Sequence, residues 1–309
     1  MVAASGEQYV LTHVSSGGVY RAVIAQVGAS LRVFTIDDIE LVEPYGEDQR
    51  RPLCAGAIMT PWVNRLDGGT WVHNGATLHN EINIVDQRNA NHGLLLDHLY
   101  DVELQSESAV TLHATITPRP GYPFLVDTWV TYELSEEGLT VTHRAVNRSS
   151  EAAPFATGAH PYFKFSAVET RELKLYSEAA TQTVVDDRQI PVSTRPTAGT
   201  EFDFRDGIRV GDGRVDEDFT DLPLAEDGNS HVYLKADDGR GLDVWQDATF
   251  KHVVIFTPDY FPAADGTAVY VAAIEPSTAA PNAFNNGVDL TWLEQGEWFE
   301  ARWGVSVTL

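Results

Sequence analysis

The sequence predicts an all-β fold in which many short, mostly antiparallel strands form a sandwich or barrel. Apolar and polar residues alternate with a period of two along much of the chain, and turn signals separate the alternating segments. No segment keeps a helical period for more than about three turns. The 309 residues contain no internal repeat and no low-complexity tract. We therefore expect one large β-domain over residues 1–309.

Individual elements support this assignment. Three segments predict β-hairpins, in chain order 71–77, 101–118 and 125–147. The first contains Asn74-Gly75, the strongest short hairpin signal, and the second turns near Glu107. The third has a glycine-containing loop at its centre. The last strand alternates so that one face carries Phe299, Ala301, Trp303, Val305 and Val307.

The charge of the chain excludes two classes of partner. There are 45 acidic residues against 21 basic ones, which gives a net charge of −24. Nucleic acids and anionic membrane surfaces are bound through clustered Lys and Arg, so neither is an expected partner. Substrates with several phosphates are disfavoured for the same reason. Strong acidity by itself serves solubility.

The cysteine count and the N-terminal residues indicate a compartment. Cys54 is the only cysteine, so no intrachain disulfide can form, as in proteins of a reducing compartment. The first residues lack the basic and long apolar regions of a secretory signal. No apolar run reaches the roughly 18 residues that a membrane span needs. We expect a soluble cytoplasmic protein with no membrane association.

Several well-known motifs are absent. The sequence has no G-x-S-x-G, no H-E-x-x-H and no Walker A loop. Residues 212–218 resemble a calcium loop, but Arg214 stands where a ligand belongs and Glu217 where glycine is needed. The histidine pairs lack a cysteine or carboxylate at metal-ligand spacing, so no metal is expected.

What remains is a series of short polar islands beside apolar or aromatic residues, centred on Asn64, Arg65, His92, His160, Asp216 and Glu275. Pro161 biases the backbone of His160 towards an extended conformation. This arrangement suits a proton donor held beside a small polar ligand, and it also suits an ordinary strand end. Glu275 ends an apolar strand, where burial disfavours the charged carboxylate. We therefore expect a histidine, arginine or hydroxyl next to Glu275.

In this order the islands resemble the aldose 1-epimerase (galactose mutarotase) family. The matching motifs are "NRLDGGTW" at 64–71, "NANHGL" at 89–94, "HPYF" at 160–163, "DEDF" at 216–219 and "AAIEP" at 272–276. A closing turn, "LEQGEWFEARW" at 293–303, has Gln295 where the family has proline. The resemblance spans nearly the whole chain and looks more like a divergent bacterial branch than the best-studied galactose enzymes.

The resemblance implies a β-supersandwich, a large two-sheet fold that binds sugar on the concave face of one sheet. It implies an enzyme that interconverts the α and β anomers of an aldose without a cofactor. The implied catalytic residues are Glu275 as general base and His160 as general acid, with His92 orienting the sugar beside them. The implied partner is an aldose, and the chain is expected to be a monomer or homodimer. The residues expected to bind the sugar are Arg65, Asn64, Asp216, Tyr162 and Trp245.

Anomer exchange needs residues of these types. The ring opens when a base removes the proton of the C1 hydroxyl while an acid protonates the ring oxygen, and the aldehyde then turns and recloses. A carboxylate and a histidine can serve both directions, and each well-placed group contributes about 10²–10⁴-fold. Trp62, Tyr162 and Trp245 can offer an apolar face to the C–H side of a sugar ring.

Two other functions stay open. A hexose-6-phosphate 1-epimerase would add a basic pocket, for which Arg88, Arg119, Arg144 and Arg171 are available. A non-catalytic sugar-binding protein of the same fold would not need a matched acid and base. Many family members touch the sugar with a glutamine that is not evident in residues 243–261. Gln246 or His252 can replace it, which leaves the identity of the sugar open.

Overall fold

The computed structural model describes residues 3–309. Met1 and Val2, which the one-domain prediction and the N-terminal interpretation include, lie outside the described residues. In chain order the first strands are β1 (Gln8–Ser15), β2 (Gly18–Ala25), β3 (Ser30–Ile36), β4 (Ile39–Glu40), β5 (Ile58–Met59), β6 (Arg65–Asp67), β7 (Thr70–His73), β8 (Ala76–His79), β9 (Asn89–Asn91), β10 (Asp101–Gln105), β11 (Ala109–Ile116), β12 (Val126–Ser135), β13 (Gly138–Asn147), β14 (Ala153–Phe155) and β15 (Gly158–Ala159). The remaining strands are β16 (Tyr162–Phe163), β17 (Lys174–Ser177), β18 (Thr181–Val185), β19 (Pro191–Pro196), β20 (Ile208–Arg209), β21 (Asp216–Thr220), β22 (Asn229–Lys235), β23 (Gly241–Asp247), β24 (His252–Phe256), β25 (Phe261–Pro262), β26 (Ala268–Val269), β27 (Ala272–Ser277), β28 (Thr291–Leu293) and β29 (Trp298–Thr308).

Two large sheets dominate the fold. The nine-stranded sheet has the order β10-β11-β12-β13-β29-β23-β22-β17-β20. The eight-stranded sheet has the order β19-β18-β21-β24-β27-β15-β5, and β16 also pairs with β27. Strands β1 to β4 form a smaller sheet. The strand pairs within both large sheets are antiparallel, which confirms the predicted all-β, two-sheet class. That residues 1–309 form one domain stays a prediction.

Helices are short. The α-helix is α1 (Ala283–Asn286), and the 3₁₀ helices are Pro52–Cys54, Thr170–Glu172, Phe204–Asp206 and Val210–Asp212. Within residues 3–309, none of these helices has the length and apolar character that crossing a bilayer requires.

The predicted hairpins are confirmed. Strands β7 and β8 pair around Asn74-Gly75, and β10 and β11 pair around the turn near Glu107. Strands β12 and β13 pair over their full lengths, from Val126 opposite Asn147 to Ser135 opposite Gly138. In β29 the residues predicted for one face are those that the core buries or half-buries. Period-two alternation therefore identified both the strands and their buried faces.

Alternation along β24 separates the core from a polar face. Val253 and Ile255 belong to the main hydrophobic core, which also takes in the inner faces of the nine-stranded sheet. His252 and Val254 alternate with them and point to the opposite face. In the register of β21, β24 and β27, Asp218 lies opposite Val254, and Val254 opposite Glu275. Directly paired residues share a face, so acidic side chains converge on the outer side of this sheet.

Candidate active site

A cavity of about 440 Å³ lies on this outer face of the eight-stranded sheet. Its size is typical of a pocket for a small molecule. The structure brings seven of the eight predicted site residues to its walls: Asn64, Arg65, His92, His160, Tyr162, Asp216 and Glu275. They come from separate parts of the chain, so the strand pairing of the sheet is what assembles them.

His160 and Glu275 form an acid–base pair in the cavity, with Nε2 of His160 and Oε1 of Glu275 3.3 Å apart. Both side chains are almost fully buried. Burial raises the pKa of the Glu275 carboxyl well above its usual range, and the nearby Asp216 adds to this effect. Burial also lowers the pKa of the His160 imidazole, to about 3. Both shifts favour neutral groups, so the pair can hold one proton between carboxylate and imidazole.

Both the backbone and the ring of His160 are held in place. Its backbone N–H donates to the carbonyl of Ala57 at 3.0 Å, and its carbonyl accepts from the N–H of Gly56 at 2.8 Å. The Tyr162 ring stacks on the imidazole with a centroid distance of 4.9 Å and an interplanar angle of 27°. The Tyr162 hydroxyl in turn donates to the carbonyl of Leu53 at 3.0 Å. Tyr162 therefore orients the imidazole of His160.

The guanidinium of Arg65 is anchored by amide side chains. Its Nε donates to Oε1 of Gln87 at 2.8 Å, and its Nη1 donates to Oδ1 of Asn64 at 3.1 Å. The same Asn64 oxygen accepts the backbone N–H of Arg65 at 2.8 Å. These contacts fix the plane of the guanidinium and leave further N–H groups for a ligand.

His92 lies beside His160, with ring centroids 5.2 Å apart and an interplanar angle of 81°. Its backbone is left-handed, with φ of 61°, a rare conformation for a side chain of this size. The N–H of His92 donates to the carbonyl of Asn64 at 2.9 Å, which braces this conformation. Burial, followed by the neighbouring His160 and Arg65, holds the pKa of His92 well below its usual value. Its Nδ1 is buried without a partner among the described residues, so His92 is a neutral ring that can accept or donate a hydrogen bond.

Asp216 begins β21 and lies opposite Phe256 of β24. Burial raises the pKa of its carboxyl, and the Arg65 guanidinium partly offsets this rise. Arg65 acts on Glu275 in the same direction. The cavity thus has an acidic wall that faces one fixed cation.

The structure does not bring Trp245 to the cavity, which corrects the sequence-based expectation. Leu242 and Val244 of β23 face the core, so Trp245 faces outward from the nine-stranded sheet. Its ring lies over Gly304, where a Cβ would come within 2.4 Å of the ring. Trp62, another expected sugar platform, is buried and packs against Phe284 at 5.7 Å.

Neither proposed replacement for the family's glutamine lines the cavity. Gln246 is buried, and its Nε2 donates to the carbonyls of Phe250 and His252, both at 3.1 Å. The His252 ring lies between the carboxylates of Asp218 and Asp289, at 3.0 Å from each. The β24 residue that borders the cavity beside Glu275 is Val254. Local sequence does not indicate this apolar residue, because the register of β24 depends on its pairing with β21 and β27.

Sequence reasoning also missed several cavity residues, among them Asn83, Gln87, Asn91 and Tyr260. Of these residues, Asn91 lies within the "NANHGL" motif, and its position next to His92 is the sequence feature that could have indicated it. The arginines considered for phosphate binding do not line the cavity. Arg50 does, but its guanidinium is exposed and lies 3.3 Å from Asp97.

Comparison with known proteins agrees with the fold. The profile of the family "Aldose 1-epimerase" matches residues 11–306. The uncharacterized protein YihR of Escherichia coli K12 is 26% identical over 283 residues, which are 91% of this chain and 88% of YihR. Human galactose mutarotase is 29% identical over 163 residues, about half of each chain at 50% and 46%.

Among solved structures, the GalM/aldose epimerase homologue of C. elegans superimposes with a TM-score of 0.84. The superposition covers 98% of this chain and 100% of that chain, at 18% identity. This likeness shows that the two large sheets form the galactose mutarotase-like sandwich. Together with the family profile, which covers nearly all of the sequence, it leads to one conclusion: the chain belongs to the aldose 1-epimerase family.

Proposed function

We propose that the protein interconverts the α and β anomers of a neutral hexose by acid–base opening and reclosing of the ring. The observation that carries the proposal is the 3.3 Å approach of His160 Nε2 to Glu275 Oε1 inside the cavity. A buried carboxylate and imidazole that face one ligand-sized space form a matched proton acceptor and donor.

The proton balance of this pair fits anomer exchange. Burial disfavours charge on both groups, so the pair most readily carries one proton in total. In the reactive form this proton is on His160 and Glu275 is ionised, so that the two groups form an ion pair. Ring opening moves the C1 hydroxyl proton to Glu275 and the His160 proton to the ring oxygen. The pair then still holds one proton, now on Glu275. Reclosure on the other face reverses both transfers, so no proton is exchanged with solvent and no cofactor takes part.

The remaining cavity residues would bind and orient the sugar. Arg65 offers N–H donors in a plane fixed by Asn64 and Gln87. The Asp216 carboxylate can accept hydrogen bonds from hydroxyls. The neutral His92 ring lies close enough to His160 to contact the same ring of the sugar. Tyr162 acts by holding the His160 imidazole in place.

The cavity favours a neutral sugar over a sugar phosphate. Arg65 is a half-buried cation of the site, and it already faces Asp216 and Glu275. Arg50 is exposed and paired with Asp97. Two ionised phosphate charges would therefore meet an acidic wall without a free buried cation among the described residues.

Polarimetry on freshly dissolved α-anomers tests the proposal. We expect the wild-type protein to accelerate mutarotation of glucose or galactose, with glucose 6-phosphate turned over much less efficiently. Glu275→Gln and His160→Asn should each lower kcat by at least about 100-fold, since each removes one acid–base group. A wild-type protein that leaves every aldose at its spontaneous rate would refute the proposal. A preference for glucose 6-phosphate would refute its substrate class.

A further inference from the structure

The carboxamide oxygen of Asn91 has no hydrogen-bond partner among the described residues. Asn91 is 9% exposed and lines the same wall as Arg65 and His92. Its Oδ1 is fully buried and accepts no hydrogen bond from any described residue. A buried amide oxygen without a partner has lost its hydrogen bonds to water without replacement, so such groups are rare outside functional sites.

The other amides of this wall are already engaged. Asn64 and Gln87 each accept a hydrogen bond from the Arg65 guanidinium. The Asn83 carboxamide bonds to both backbone groups of Asn91: its Oδ1 accepts the N–H at 2.7 Å and its Nδ2 donates to the carbonyl at 3.0 Å. Asn91 is therefore the amide of this wall whose oxygen is left for a ligand, and hydrogen bonds from Asn83 hold its backbone in place.

The strand pairing directs Asn91 to the same ligand as Arg65. In the antiparallel pair of β6 and β9, Arg65 lies directly opposite Asn91. Opposed residues project to the same face with Cβ atoms about 5 Å apart. A carboxamide and a guanidinium at this spacing can reach hydroxyls on the same or on adjacent carbons of one sugar ring.

We propose that Asn91 is a further sugar-binding residue, whose carboxamide accepts from and donates to one ring hydroxyl beside the group bound by Arg65. The inference rests on the proposed function and adds a specificity determinant to it. A carboxamide suits a hydroxyl because the amide oxygen accepts the O–H proton while the NH₂ donates to the oxygen. The site should therefore discriminate against a sugar that lacks this one hydroxyl.

The test combines variants of Asn91 with sugars that lack single hydroxyls. Asn91→Ala removes the carboxamide, and Asn91→Leu removes it while keeping the packing volume. Kinetics by polarimetry and equilibrium binding by calorimetry are measured on the preferred hexose and on its 2-, 3-, 4- and 6-deoxy forms. Asn229→Ala, on the outer face of the nine-stranded sheet, is the matched control and should leave every constant unchanged.

We expect both variants to weaken binding of the parent sugar and to lower kcat/KM by about tenfold, as for the loss of one buried hydrogen bond. One deoxy sugar should show a similar loss with the wild-type protein and no further loss with either variant. The inference would be overturned if, for each of the four deoxy sugars, the affinity lost with the hydroxyl and the affinity lost with the Asn91 side chain simply add. Unchanged binding in both variants would also overturn it. A wild-type protein that binds sugars without turnover would refute the proposed function, and the binding constants alone then decide the role of Asn91.

Discussion

The buried His252 should make the stability of the fold depend on alkaline pH. Its side chain is 1% exposed and lies between Asp218 and Asp289, at 3.0 Å from each. Burial alone would lower its pKa, but the two carboxylates outweigh this and raise the pKa from 6.5 to about 9. A rise of this size corresponds to roughly 3 kcal/mol of folding free energy.

Whether the free energy of unfolding rises or falls with pH depends on which state, folded or unfolded, keeps the His252 proton. Below pH 6.5 both the folded and the unfolded protein carry the charged histidine, so the full contribution is present. Between pH 6.5 and about 9 only the folded state keeps the proton, and the free energy of unfolding falls by about 1.4 kcal/mol per pH unit. Above this range the contribution is lost.

Urea denaturation and thermal unfolding from pH 6 to pH 10 measure this contribution, with His252→Asn as the comparison. His231, whose pKa is also raised, titrates in both proteins, so the difference between them isolates His252. At pH 6 the variant leaves two carboxylates without their cation and should lose on the order of 3–5 kcal/mol. For 309 residues, a loss of 3 kcal/mol lowers Tm by about 5 °C. The difference should shrink by most of this amount at pH 10, and a difference that is independent of pH would refute the reasoning.

Three further predictions concern the cavity and its surroundings. Arg65→Lys keeps the charge but loses the planar fork, so KM in the mutarotation assay should rise about tenfold, and an unchanged KM would argue against sugar contact. Gly93→Ala places a Cβ 2.0 Å from the Thr60 carbonyl oxygen at a φ of +79°, and urea denaturation should show a loss of more than about 2 kcal/mol. Equal stability would show that this loop can shift. Trp245 lies on the nine-stranded sheet, so Trp245→Leu should leave KM within about twofold of the wild-type value. A tenfold rise in KM would show that this tryptophan contributes to sugar binding.

Local pattern was sufficient to predict the three hairpins and the last strand. Alternation depends on neighbours two residues apart, so the hairpins and the buried face of β29 follow from short windows of sequence. Which sheet a strand joins depends on long-range pairing, and the alternation around Trp245 is the same in either sheet. The expectation for Trp245 failed for that reason.

The chemistry of a histidine also depends on distant residues. His143 accepts the Trp303 indole N–H at 3.0 Å and bonds to Thr157 at 2.8 Å, deep in the core. His252 is an ion-paired cation, and His160 faces the cavity. Each of them is nearly or fully buried, and composition alone could not separate them. For His160, the ordered motifs from Asn64 to Glu275 indicated the correct place, because together they predicted which distant segments meet.

The most direct test of the central claim is the rate of anomer exchange in a protein that still binds sugar. Saturation transfer between the anomeric protons, recorded by NMR with wild-type protein and with Glu275→Gln, gives this rate, and calorimetry on the same samples gives the affinity. We expect the variant to bind the sugar within a few-fold of wild type while its exchange rate falls at least about 100-fold. Exchange at the wild-type rate in a variant that binds normally would show that the carboxylate facing His160 does not move the proton of the reaction.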